Sequence, residues 1–258
     1  MNKKLLFLAF TVTFMGNAYC QDDSLKVSPT ENQIFTDNLY SLPDPKVTFD
    51  FDIRAAFTSG EFKQFYPKDG MGGMGATVLF PINKRNPLDV GFGLGYYFMS
   101  HTSSDFQYYS PGVGDYNIES TVSGSMFPFH LVARAYPLKS VRSPVQPYVE
   151  GLAGFRLFIV DQEINTFIDN TGVELPPQTE TNTTGSWSYG FGAGVKVRIS
   201  KKNLLYLNAK VDQLYGTETD YMDPTTINLY DDGSYEYVNQ RSETDVLRFS
   251  IGLHLMLE

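Results

Sequence analysis

The sequence predicts an eight-stranded antiparallel transmembrane β-barrel, an up-and-down meander with both termini in the periplasm. Three observations predict it. Segments alternate apolar and polar residues with a period of two, over lengths that match the ~9 to 11 residues a tilted strand needs to cross a bilayer. Beyond the first twenty residues no run of about 18 apolar residues offers a membrane helix, so any span must be made of strands. The links between segments are by turns short and long, as in barrels with tight turns on one side and extended loops on the other. Aromatic content of 15%, with 17 Tyr and 22 Gly, suits such a chain better than a helical one.

Met1 to Lys4 is short and basic, Leu5 to Met15 is apolar, and Ala18-Tyr19-Cys20 sets small residues where a signal peptidase reads them. Residues 1–20 are therefore expected to be a signal peptide cleaved after Cys20. A lipoprotein leader would want a small residue before the cysteine, and Tyr19 is not small. Cys20 is the only cysteine, so the mature chain has no internal disulfide and no thiol chemistry. Residues 21–45 are polar, carry Pro29, Pro43 and Pro45 and lack periodicity, which predicts a flexible periplasmic extension before a barrel over 46–258.

The first strand is Val47, Phe49, Phe51, Ile53, Ala55 and Phe57 alternating with Thr48, Asp50, Asp52 and Arg54. Met74 to Ile82 and Leu88 to Phe98 form a hairpin about the compact turn Asn83 to Pro87. Phe127 to Ala135 and Val149 to Ile159 are the fourth and fifth strands, joined by a turn around Leu138 to Gln146. The sixth, Trp187 to Ile199, sets Trp187, Tyr189, Phe191, Ala193, Val195 and Val197 against Gly190, Gly192, Gly194, Lys196 and Arg198. Leu205 to Val211 and Leu247 to Leu255 complete the eight. Charge sorts with link length: the short turns carry Lys84, Arg85, Lys139, Arg142, Lys201 and Lys202, whereas the long links hold most of the acid behind the net charge of −9. Asp231-Asp232-Gly233-Ser234 predicts a hairpin turn within the last long link, and Asp169-Asn170-Thr171-Gly172 another in the link before it.

A soluble lipocalin-like barrel would invert the same alternation around a ligand cavity. The polar parity argues against it, because Gly91, Gly93, Gly95, Gly190, Gly192 and Gly194 sit among charges as a narrow interior requires. The inward set contains Asp50, Asp52, Arg54, Arg134, Glu150, Arg156, Lys196, Arg198, Lys210, Asp212 and Arg248. Eight strands leave a lumen just wide enough for side chains, so these charges are expected to pair and plug it, with Lys196 and Arg198 meeting carboxylates such as Asp212 or Glu150.

Phe127-Pro128-Phe129-His130-Leu131 running to Arg134-Ala135-Tyr136-Pro137, Pro147 to Phe155, and Gly190 to Val195 resemble the small outer-membrane β-barrel proteins of Gram-negative bacteria, the group of the eight-stranded outer membrane proteins X, A and W. The resemblance covers roughly residues 46–258 and speaks to architecture more than to function. It implies residence in the outer membrane among lipid and lipopolysaccharide. Such chains often close on an aromatic residue, and Leu255-Met256-Leu257-Glu258 departs from that.

The resemblance also brings in lipid A acyltransferases and deacylases, barrels that use His with Ser, Asp or Glu near the outer leaflet. His101 after Ser100, on the inward parity with Asp105 and Glu119 near in sequence, is the one candidate base, but no stretch matches their motifs, and catalysis is not expected. His130 and His254 read as buried, hydrogen-bonded residues. Asp220, Asp223, Asp231 and Asp232 match no calcium spacing, and no metal or other cofactor is expected. Acidic loops exclude nucleic acid as a partner. Tyr108, Tyr109, Tyr116, Phe167, Tyr221, Tyr230, Tyr235 and Tyr237 supply amphipathic surface fit either for a protein partner or for packing against headgroups. The expected function is thus a non-enzymatic envelope structural or surface interaction protein, meeting an envelope partner through its loops or its N-terminal extension. Passage of small or apolar solutes is the alternative.

Overall fold

The computed structural model describes residues 46–65, 70–82, 87–110, 114–137, 144–168, 173–174, 176–200, 205–229 and 235–257. The expected leader, the expected extension over 21–45 and the basic residues of the short turns lie outside them. In chain order the elements are β1 (Val47–Thr58), α1 (Phe62–Phe65), β2 (Met71–Pro81), β3 (Leu88–Ser110), β4 (Gly114–Ala135), β5 (Val145–Ile168), β6 (Val173–Glu174), β7 (Gln178–Arg198), β8 (Leu205–Gly216), β9 (Glu218–Leu229), β10 (Tyr235–Glu243) and β11 (Val246–Leu257).

Eight of these strands close on themselves in the order β1-β2-β3-β4-β5-β7-β8-β11, every pair antiparallel, with β11 returning to β1. This is an eight-stranded antiparallel up-and-down barrel. Closure matters because an unpaired backbone group in hydrocarbon costs several kcal/mol. Val47 pairs with Leu257, so the first and last barrel strands meet at the end that carries the short links.

The alternation seen in the sequence sorts cleanly between the two faces. In β1 every second residue from Thr48 to Thr58 is buried, whereas Phe51 and Ile53 are 52% and 72% exposed. Leu94, Leu131, Phe191, Val211 and Ile251 continue the exposed apolar surface around the wall, while Asp, Glu, Arg and Lys fill the inside. That is the polarity of a membrane-spanning barrel and the reverse of a soluble one. Aromatic pairs stud the belt, Trp187 against Phe155 with ring centroids 5.7 Å apart and Tyr189 against Tyr215 at 5.6 Å.

The strands overrun the expected loops. The links expected over 99–126 and 160–186 are instead the upper halves of two tall hairpins, because β3 pairs with β4 as far as Ser110 and Gly114 and β5 pairs with β7 as far as Ile164 and Gln178. β5, with 24 residues, is about 80 Å long at ~3.3 Å per residue, far more than an apolar band ~25 Å tall requires. Above the belt the polarity of the two faces is exchanged: Ile118, Val122, Val160 and Ile164 are buried on the inward face while Asp161 and Glu163 stand exposed outside, so the outward apolar parity that marks a membrane strand stops while the ladder continues. The two hairpins anticipated within the links are formed: Leu229 pairs with Tyr235 in a separate β9–β10 sheet, and Ile168 with Val173 on β6. The turn residues 169–172 and 231–234 lie outside the described residues.

Candidate functional site

Side chains from six strands converge in the half of the lumen nearer the short links. Arg134 on β4 donates from Nε and Nη2 to Glu150 Oε2 at 2.9 and 2.8 Å, and its Nη2 lies 2.7 Å from Asp50 Oδ2. Lys210 on β8 donates to the other oxygen of Glu150 at 2.9 Å. Asp50 pairs with His254 Nδ1 on β11, and His254 Nε2 sits 3.2 Å from Lys196 Nζ on β7, which also donates to Tyr136 Oη at 3.0 Å. A chain of seven charged or polar groups, from Lys210 to Tyr136, therefore runs across the barrel without a break. Tyr148 stacks its ring 4.2 Å from the Arg134 guanidinium and donates its hydroxyl to Asn208 at 2.7 Å. Such a network holds its members in place, since each buried charge is compensated by a neighbour.

Farther along the axis the pairs become separate. Arg248 donates from Nε to Asp212 at 2.7 Å, Arg54 pairs with Asp52, and His130 Nε2 lies 3.1 Å from Ser188 Oγ. The glycines of the inward parity make this possible. A Cβ on Gly192 would fall 1.8 Å from Asp212 Oδ1, and one on Gly95 would fall 2.5 Å from Arg54 Nη1. At the mouth below the hairpins the filling turns apolar, with Phe62 of α1 inserted among Ala56, Met71, Tyr97, Met99, Met126, Phe158 and Val246. Phe62 meets Phe158 edge-on at 6.2 Å.

Of the eleven inward charges read from the sequence, ten are buried and Arg198 is half-buried. Two details differ from expectation. Lys196 meets Tyr136 and His254, and Arg198 meets Tyr206 Oη at 2.8 Å, because Glu150 is engaged by Arg134 and Lys210 and Asp212 by Arg248. The Arg156 guanidinium forms no hydrogen bond among the described residues. His101 is a third correction: it is exposed on the outward face, not inward. The ladder shifts by one between Phe98 and Ser100, and this β-bulge flips the parity of everything beyond it. Asp105 shares that outward face but lies four residues on, ~13 Å along the strand, and Glu119 is opposite Asp105 in the ladder, so neither of the two carboxylates near in sequence is placed beside His101.

Phe167 is 37% exposed on the upper part of β5. The backbones of Tyr108, Tyr109, Tyr116, Tyr221, Tyr235 and Tyr237 are strand, with Tyr108 opposite Tyr116 and Tyr237 opposite Ile227. Their side chains, and Tyr230 as a whole, lie outside the described residues. On the β9–β10 hairpin Arg241 lies 3.3 Å from Glu218 and 4.0 Å from Asp220, all three exposed.

Sequence reasoning missed Asp89, a buried carboxylate on the glycine parity of β3, and the aromatic lining of Tyr136, Tyr148 and Tyr206. Asp89 was findable, since it is two residues before Gly91. The lining tyrosines carry no such signal, because tyrosine serves equally on either face of a barrel.

No model of a known protein family matches the chain, and no curated protein matches its sequence. Among solved structures it is similar to Neisserial surface protein A, at 14% identity over 82% of this chain and 97% of that one, with a TM-score of 0.39. It is similar also to a major outer membrane protein from Thermus thermophilus, at 15% identity over 80% and 98% with a TM-score of 0.38. The outer membrane protein OprG from Pseudomonas aeruginosa aligns at 9% identity over 82% and 95%, with a TM-score of 0.36.

Proposed function

We propose that this chain is an outer-membrane barrel whose filled lumen acts as a rigid support for tall surface hairpins, through which it binds other components of the envelope, with no catalysis of its own. One observation carries the reading. The β3–β4 and β5–β7 hairpins continue as paired strand well past the apolar belt, while the lumen beneath them is packed with mutually engaged charges. An interior so filled favours a scaffold over a conduit. The acidic, tyrosine-bearing β9–β10 hairpin adds a third arm whose composition suits protein partners or lipopolysaccharide headgroups. Export by a leader over 1–20 and a periplasmic extension over 21–45 belong to the same proposal.

Planar-bilayer recording and surface binding test it together. The purified protein is expected to be electrically silent. Shortening the β3–β4 hairpin above Met99 and Met126 should leave the barrel folded while reducing retention on vesicles containing lipopolysaccharide or crosslinking to envelope proteins. Steady, discrete channel openings from the intact protein would overturn the scaffold reading in favour of solute passage.

A further inference from the structure

The described residues bury six lumen cations, Arg54, Arg134, Arg156, Lys196, Lys210 and Arg248, but only five lumen carboxylates, Asp50, Asp52, Asp89, Glu150 and Asp212. The imbalance has an address. Five of the cations meet polar or anionic partners, whereas Arg156 is fully buried and none of its Nε, Nη1 and Nη2 forms a hydrogen bond. Asp245 is the carboxylate whose field reaches it, yet that side chain is half-exposed and accepts from the backbone N–H of Gly216 at 3.1 Å. Arg248, in electrostatic range as well, adds a second positive charge.

The surroundings are built to hold this guanidinium in place. A Cβ at Gly216 would fall 2.2 Å from Arg156 Nη2, so only glycine leaves the group its room. Ser186, opposite Arg156 in the β5–β7 ladder, is bonded to buried Thr244 at 3.0 Å. Tyr97, within the fields of Arg156 and Arg248, is buried with a hydroxyl that has no hydrogen-bond partner. Beyond Tyr97 the mouth is closed by the apolar cluster around Phe62. A guanidinium of five donors and a phenol of one thus face the lumen with no acceptor among the described residues. Burying an uncompensated ion is among the most costly things a fold does, and an anion that accepts from the planar fork removes the cost.

We propose that Arg156, assisted by the Tyr97 hydroxyl, binds one small monovalent anion inside the barrel, of the size of chloride or formate. One charge is what the lumen lacks, and the packed ceiling of Phe62, Met99, Met126 and Phe158 suits a small occupant. The anion completes the charge pairing of the upper lumen, as carboxylates complete it below.

The full-length mature protein, folded in detergent, tests this by its unfolding midpoint in sodium chloride or sodium formate against sodium gluconate at equal ionic strength. Ligand linkage predicts a midpoint that climbs with the logarithm of chloride or formate concentration and stays flat in gluconate. Arg156→Met should abolish the dependence, and Tyr97→Phe should move its onset to several-fold higher concentration. Crystals grown in sodium bromide should show an anomalous peak within hydrogen-bonding distance of the Arg156 guanidinium, a readout that serves if Arg156→Met does not fold. Equal chloride dependence in Arg156→Met and the parent, or only water beside Arg156 in bromide-grown crystals, would overturn the proposal.

Discussion

The two halves of the lumen are built from the same parity of the same eight strands, yet they solve the problem of buried charge differently. Near the short links, Lys196, His254, Asp50, Arg134, Glu150 and Lys210 form one connected chain. Toward the hairpins, the Arg156 guanidinium has no hydrogen-bond partner among the described residues and an apolar cluster stands over it. Inward polarity alone does not make a plug. What matters is whether each charge finds its complement, and a substitution should therefore cost much below and little above.

The largest effect is expected at Glu150. Glu150→Gln keeps the shape but strands Lys210 and leaves Arg134 with Asp50 alone, and removing one partner of a buried pair typically costs ~3 to 5 kcal/mol. The chain holds a single tryptophan, Trp187 on the outer face, whose fluorescence reports denaturant unfolding without added labels. A midpoint for Glu150→Gln within error of the parent would show that the lower network does not depend on this carboxylate's charge.

Between the two halves, Gly192→Ala tests whether glycine is there for room. Its Cβ would come within 1.8 Å of Asp212 Oδ1, so Asp212 must move and its bonds to Arg248 must loosen. Overpacking of this kind costs about 1 to 3 kcal/mol. Gly151→Ala is the matched control, since an added Cβ there meets nothing within 4 Å. Equal losses in the two variants would trace the effect to backbone propensity instead of space.

How much of this was legible in the sequence follows from the same physics. Asp50, Asp52 and Arg54 were readable because each is flanked by apolar residues that face lipid, and the contrast marks the strand and both of its faces. Above the belt the outward residues turn polar and the apolar ones, such as Ile118, Val122, Val160 and Ile164, move to the inward face, so the upper halves of β3, β4, β5 and β7 read as loops although their ladders are unbroken but for one bulge. That bulge beyond Phe98 inserts one residue and leaves no mark in composition, which is why His101 was assigned to the wrong face. Partner choice was the least legible feature. Parity sends Lys196, Arg198, Glu150 and Asp212 inward, but which of them meet depends on the stagger between strands, and stagger is set by the closed ladder as a whole.

In the upper half, Arg156→Met in sodium gluconate should be close to neutral or mildly stabilising. It removes a buried charge that only the field of half-exposed Asp245 opposes, and apolar replacement of poorly compensated charge is often favourable. A loss as large as that of Glu150→Gln, under the same conditions, would mean that Arg156 is as firmly held as Arg134 and that the contrast between the halves is false.

The smallest effect is expected beyond the mouth, where charge pairing is still present but water is restored. Arg241 faces Glu218 and Asp220 across β9 and β10, with side chains about two-thirds exposed. Exposed pairs of this sort are screened by solvent and contribute less than about 1 kcal/mol. Arg241→Ala should accordingly leave the unfolding midpoint almost unchanged and raise the acidity of the hairpin by one charge, weakening its attraction for anionic surfaces. If instead this substitution destabilised the barrel as Glu150→Gln does, the β9–β10 hairpin would be part of the structural core and not an arm carried by it. Desolvation is the variable that separates these sites: the same kinds of side chain pair in the lower lumen and on the hairpin, and only where water is excluded does losing a partner threaten the fold.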